Sequence, residues 1–92
     1  MGPVVPILRI LDVPKAMEFY RDFLGFSVDF EHRFGPGLPL YAQISRDAAV
    51  LHLSEHFGDG TPGAHVRIET PDLTAYNAAL LAKRYRHARP GI

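Results

Sequence analysis

Residues Ile7 to Phe30, ILRILDVPKAMEFYRDFLGFSVDF, decide the fold. They read as a strand, a capped helix, a glycine stop and a second strand. Asp12 stands where a side-chain oxygen can accept a backbone N–H of the first helical turn. Pro14 falls inside that turn, where its missing N–H costs nothing. Ala16, Phe19, Tyr20 and Phe23 recur at i, i+3, i+4 and i+7 and predict one apolar stripe, with Glu18, Arg21 and Asp22 on the other side. Gly25 supplies the left-handed residue that ends the helix, and Phe26 folds back onto its last turn. Phe26, Val28 and Phe30 then alternate with Ser27, Asp29 and Glu31, the pattern of a half-buried strand. A helix with a single apolar stripe between two strands has to lie on a sheet, so the stretch opens a β–α–β unit.

Upstream, Val4 to Ile10 reads as the first strand, interrupted by Pro6. Proline cannot donate to a ladder, so it belongs on an edge, at a strand start, or where the chain bends out of one sheet toward another. Downstream, Phe34-Gly35-Pro36-Gly37-Leu38-Pro39 is a breaker-rich loop. Leu40 to Ser45 and Ala48 to Ser54 read as a third and a fourth strand around a tight Arg46-Asp47 connection. Glu55 to Gly63, EHFGDGTPG, is glycine-rich but lacks the lysine and the strand–loop–helix context of a phosphate cradle, and reads as a flexible linker. Ala64 to Glu69, AHVRIE, is expected as a fifth strand. Thr70 is expected to cap a second helix with Pro71 at its first position and Leu73, Tyr76 and Leu80 as its buried stripe.

The 92 residues allow one small domain, and a composition 47% hydrophobic is that of a globular chain. Ten basic side chains balance ten acidic ones, which removes the electrostatic reason to expect nucleic acid or an anionic membrane as partner. No apolar run approaches a membrane span. The sequence holds no cysteine, so it offers no disulfide, thiolate metal site or cysteine nucleophile; a cytoplasmic location is the simpler expectation.

Arg67-Ile68 leads into the second helix as Arg9-Ile10 leads into the first, 58 positions earlier. A complete second copy of the unit would run to roughly residue 112. The expected architecture is therefore α+β. Residues 1–54 form a βαβββ module, and residues 64–92 begin a second module that is incomplete in this chain, as in a fragment or the ordered part of a longer protein.

ILDVPKAMEFYRDFLGFSVDF, AVLHLSEHFGDG and GAHVRIETPDL resemble the glyoxalase/bleomycin-resistance protein/extradiol dioxygenase superfamily, the vicinal oxygen chelate proteins, and most of all its bleomycin-resistance-like members. The resemblance implies two βαβββ modules whose curved mixed sheets enclose a ligand cavity. It also implies metal-ligand positions on the first, fourth, fifth and last strands of the metal-dependent members. Here these fall on Val5, which has no ligand atom, on His52, on His65, and beyond Ile92.

Strand parity places His52 on a face with Val50 and Ser54, opposite Leu51 and Leu53. It places His65 with Arg67 and Glu69, opposite Ala64, Val66 and Ile68. His52, His65 and Arg67 are thus expected to face the concave side, with Phe34 and Tyr41 as apolar groups that can grip a ligand. His32, His56 and His87 read as surface residues, and Arg84, Arg86 and Arg89 as a solvated helix end. No nucleophile can be assembled from the spacing.

Two function classes follow. The first is a binding protein of the bleomycin-resistance type, needing no cofactor, that sequesters a flat, partly charged small molecule of the antibiotic kind; Val5 favours it. The second is a metal-dependent lyase, isomerase or dioxygenase in which a divalent ion polarises vicinal oxygens of its substrate; His52 and His65 favour that one. Half-open sheets, together with Pro6 and the resemblance, imply a homodimer whose N-terminal arms are exchanged between subunits.

Overall fold

The computed structural model describes residues 1–62 and 64–83. The chain runs β1 (Ile7–Arg9), α1 (Val13–Met17, continued as a π-helix over Glu18–Phe23), β2 (Ser27–His32), β3 (Tyr41–Arg46), β4 (Ala49–Ser54) and α2 (Leu73–Ala82). The four strands make one mixed sheet in the order β1-β4-β3-β2, with β1 parallel to β4 and the other neighbours antiparallel. This is the α+β, βαβββ arrangement expected from Ile7 to Ser54.

Asp12 caps α1 by accepting the Lys15 N–H at 3.0 Å, and Gly25 takes φ +83° to end the helical segment. The expected apolar stripe is shifted. Leu24 N–H donates to the Phe19 carbonyl and Phe26 N–H to that of Tyr20, wider turns than an α-helix makes. The widening rotates the buried face, so that Met17 and Phe23 are buried, Ala16 and Tyr20 are half-buried and Phe19 is 40% exposed. Under α1, the inward faces of the strands supply Ala42, Ile44, Leu51 and Leu53, which close with Ile10, Met17, Phe26 and Leu40 into the core.

β1 begins only after Pro6, shorter than the strand expected from Val4, because the proline has no N–H to offer. Its carbonyl still accepts from the His52 N–H. β1 forms one edge of the sheet, as Pro6 suggested, and the preceding arm leaves Val4 exposed. β2 carries a bulge: Val28 pairs with Ile44 and Phe30 with Gln43, so Asp29 is an extra residue. The bulge reverses the expected parity beyond it. Phe30 leaves the helix-covered face and joins Gln43 and His52 on the open one.

Two expectations downstream of β4 are corrected. Ala64 to Thr70 forms no strand, and Val66 and Ile68 are exposed rather than packed toward the helices. The reason is a missing ladder: none of the four described strands pairs with this segment, and a strand with no partner leaves its backbone to solvent. The second helix is capped not by Thr70 but by Asp72, whose carboxylate accepts the Ala75 N–H at 3.1 Å. Leu80 is buried and Tyr76 half-buried, while Leu73 is exposed.

α2 is fastened to the end of the first helical segment. Lys83 Nζ donates to the carbonyls of Asp22 and Phe23, and the Tyr76 hydroxyl and Arg46 donate to that of Leu24. These donors satisfy carbonyls that a helix end leaves unpaired. The Arg46 guanidinium also lies 4.8 Å over the Tyr76 ring. Among the described residues no helix is long and apolar enough to cross a membrane. Arg84, Arg86, His87 and Arg89 lie outside the described residues.

Candidate functional site: the open face of the sheet

Register fixes which side chains leave the core. Opposite partners in a ladder share a face, so Ile7, His52, Gln43 and Phe30 form one row across the open face, and Arg9, Ser54, Tyr41 and His32 the next. His52 therefore lies opposite the buried Leu51 and Leu53, as its strand parity requires.

The polar members of these rows form a chain with one direction. The Asp29 carboxylate, an acceptor only, receives the Gln43 Nε2 amide at 3.0 Å and the Ser45 hydroxyl at 2.9 Å. The Gln43 amide oxygen consequently faces His52 Nε2, 3.0 Å away, and that nitrogen carries the imidazole proton. Nδ1 is left with its lone pair and accepts from the Tyr41 hydroxyl at 2.6 Å. Hydrogen bonds from Gln43 and then Ser45 hold the Asp29 carboxyl below the usual carboxylate range, while burial, followed by the nearby Asp59 charge, pushes the Tyr41 phenol up.

Beside this chain lies a crevice of about 560 Å³ walled by Phe30, His32, Phe34, Tyr41, His56 and Phe57, with Asp59 at its polar side. Its rings meet edge to face, His32 and Phe34 at 4.8 Å between centroids and Phe34 and His56 at 6.2 Å, and His52 backs two of them, Tyr41 at 5.1 Å and Phe30 at 6.0 Å. Phe34 is 78% and Phe57 96% exposed, so the wall is presented to solvent.

The loop from Glu55 supplies one side of the crevice and is pinned rather than a loose linker. The fully buried Ser54 hydroxyl donates to Asp59 at 2.9 Å and accepts the His56 N–H. Glu55 accepts the Leu40 N–H at 2.9 Å, and the Arg9 guanidinium lies 5.8 Å over the Phe57 ring.

A larger cavity of about 930 Å³ lies elsewhere, between the N-terminal arm, the β3–β4 turn, the segment around Arg67 and α2. The structure thus distributes the expected site residues. Tyr41 and Phe34 line the crevice and His52 stands behind them against Tyr41 and Phe30, whereas Arg67 lines the other cavity. His65 is exposed in the segment that forms no strand, and lines neither of these cavities. Val5 is exposed in the arm. Asp29, Phe30, Gln43, His56, Phe57 and Asp59 join the site unannounced. Only Gln43 carried a signal, since it lies two residues from Tyr41 and so shares its strand face.

A catalytic divalent ion needs about three protein ligands and an open position. Among the described residues no three histidine, cysteine, aspartate or glutamate side chains converge for that purpose. Both ring nitrogens of His52 are engaged by Gln43 and Tyr41, and His65 stands apart. The described residues do not fit such an ion.

A βαβββ sheet with helices on one face and an aromatic crevice on the other defines an α+β class of fold. The family model described as "Glyoxalase superfamily protein" matches residues 1–92, and the chain belongs to that superfamily. Among solved structures, the chain is similar to the bleomycin-binding protein from bleomycin-producing Streptomyces verticillus, complexed with copper(II)-bleomycin. The TM-score is 0.66 and the identity 30%, over 89% of this chain and 63% of that one. The fold is also shared with SMU.1112c, at a TM-score of 0.64 and 18% identity over 90% of this chain and 74% of that one. No curated protein matches the chain. The chain spans under two thirds of the length of the bleomycin-binding protein.

Proposed function

We propose that this chain is a binding protein that sequesters a flat, partly charged small molecule of the antibiotic kind in the aromatic crevice of its open sheet face, without transforming it. The observation that carries this reading is the wall itself: Phe34 and Phe57 held in solvent beside Tyr41, with the carboxylate of Asp59 at its edge. Exposed rings fixed around a concavity gain by covering their faces with another ring. Similarity to a bleomycin-binding protein supports the same class of ligand. Binding is completed in a homodimer whose N-terminal arms, bending at Pro6, cross between subunits.

Calorimetric titration with metal-free bleomycin and with copper(II)-bleomycin tests the proposal. Saturable binding is expected, with the ligand recovered chemically unchanged. Phe34→Ala and Tyr41→Ala should each weaken it about tenfold, the loss expected for one aromatic contact. Absence of binding, or affinity indifferent to both substitutions, would refute the crevice as the site. A ligand recovered in altered form would point instead to the enzymatic branch of the superfamily.

A further inference from the structure

The direction of the hydrogen-bond chain dictates what the crevice asks of a ligand. Because Gln43 presents its amide oxygen to His52, Nε2 holds the imidazole proton and Nδ1 accepts from Tyr41. The Tyr41 proton is thereby committed inward, and toward any ligand the phenol has lone pairs alone to offer. Asp59 is likewise an acceptor, with one carboxylate oxygen already engaged by Ser54. Both residues line the crevice between the aromatic side chains.

From this arrangement we propose that the crevice selects planar aromatic molecules bearing an N–H or O–H donor on the ring edge, and that the Tyr41–His52 pair sets this preference. The proposal rests on the small-molecule reading above and adds the ligand's chemical class.

Indole and benzofuran are neutral isosteres, one with an edge N–H donor and the other with an ether oxygen, and they separate this from general aromatic binding. In ligand-observed NMR titrations of the full chain at about pH 8, indole should bind about tenfold more tightly than benzofuran, the worth of one good hydrogen bond. Tyr41→Phe keeps the ring and should abolish the preference. Independently, imidazole nitrogen shifts of the wild-type protein should show His52 protonated at Nε2 and bare at Nδ1 near pH 8. Equal binding of the two probes at pH 8, or a protonated Nδ1 there, overturns the donor preference and leaves the crevice standing. Failure of both probes to bind overturns the crevice reading and this proposal together.

Discussion

Gly60 rests directly on the backbone of Ile7: a Cβ at Gly60 would stand 2.8 Å from the Ile7 carbonyl oxygen and 3.1 Å from the Arg9 amide nitrogen. The residue also takes φ +64°, a conformation that L side chains rarely adopt. The contact ties the crevice loop to the edge strand of the sheet, and backbone cannot swing aside as a side-chain tip can. Gly60→Ala should therefore cost about 2 kcal/mol or more. Gly37→Ala, at φ +76° with open space around it, should cost about 1 kcal/mol through conformation alone. Urea unfolding of the two variants checks the order, and equal midpoints would contradict the close approach.

The core depends on few side chains. Leu53 is fully buried next to the end of β4, and Leu53→Ala should lose roughly 2–5 kcal/mol, a large part of what a domain of this size holds. Leu11→Ala, at a residue 73% exposed, should stay within about 0.5 kcal/mol of wild type. Thermal and denaturant melts of the pair measure the contrast.

Asp29 should make stability sensitive to acid. Its carboxyl is held below the usual range in the folded chain by Gln43 and then Ser45. A depressed folded value means that the contribution is fully present above the unfolded carboxylate value, about 3.9, and is lost as pH falls through the folded one. Wild type should accordingly lose more stability than Asp29→Asn on going from about pH 6 to pH 3, whereas the two should run parallel above about pH 6. Parallel curves throughout would mean that the two hydrogen bonds do not hold the carboxylate in solution.

Assembly is tested at the arm. An N-terminal arm that crosses to a neighbour should give a dimeric mass in sedimentation equilibrium at micromolar concentration, and removal of residues 1–5 should shift the chain toward monomer. A monomeric mass for the intact chain would remove arm exchange from the proposal.

The parts of this structure that were legible in the sequence are those set by local chemistry. The Asp12 cap, the Gly25 stop and the alternation of His52 with Leu51 and Leu53 each follow from residues within one turn or one strand. What escaped depends on partners. Ala64 to Glu69 alternates like a strand, but alternation describes a surface and not a ladder, and no strand edge reaches it. Phe19 fits a helical stripe until the π turns rotate it outward. The site suffered most from this limit. Phe30 crossed to the open face through a bulge, and His56 and Asp59 arrived on a loop held by Ser54. No periodicity announces either event.

The bulge at Asp29 also bears on heredity. Within a strand, losing one codon ordinarily turns every later side chain to the wrong face. At position 29 the ladder already counts one residue too many, since Val28 and Phe30 oppose the consecutive residues Ile44 and Gln43. An in-frame deletion of that single codon would let β2 close into an unbroken ladder while Phe30, Glu31 and His32 kept their partners. The gene thus has, inside an edge strand, a place where it can shorten by one codon, erasing the carboxylate that orients Gln43 and His52 without dismantling the sheet that carries them.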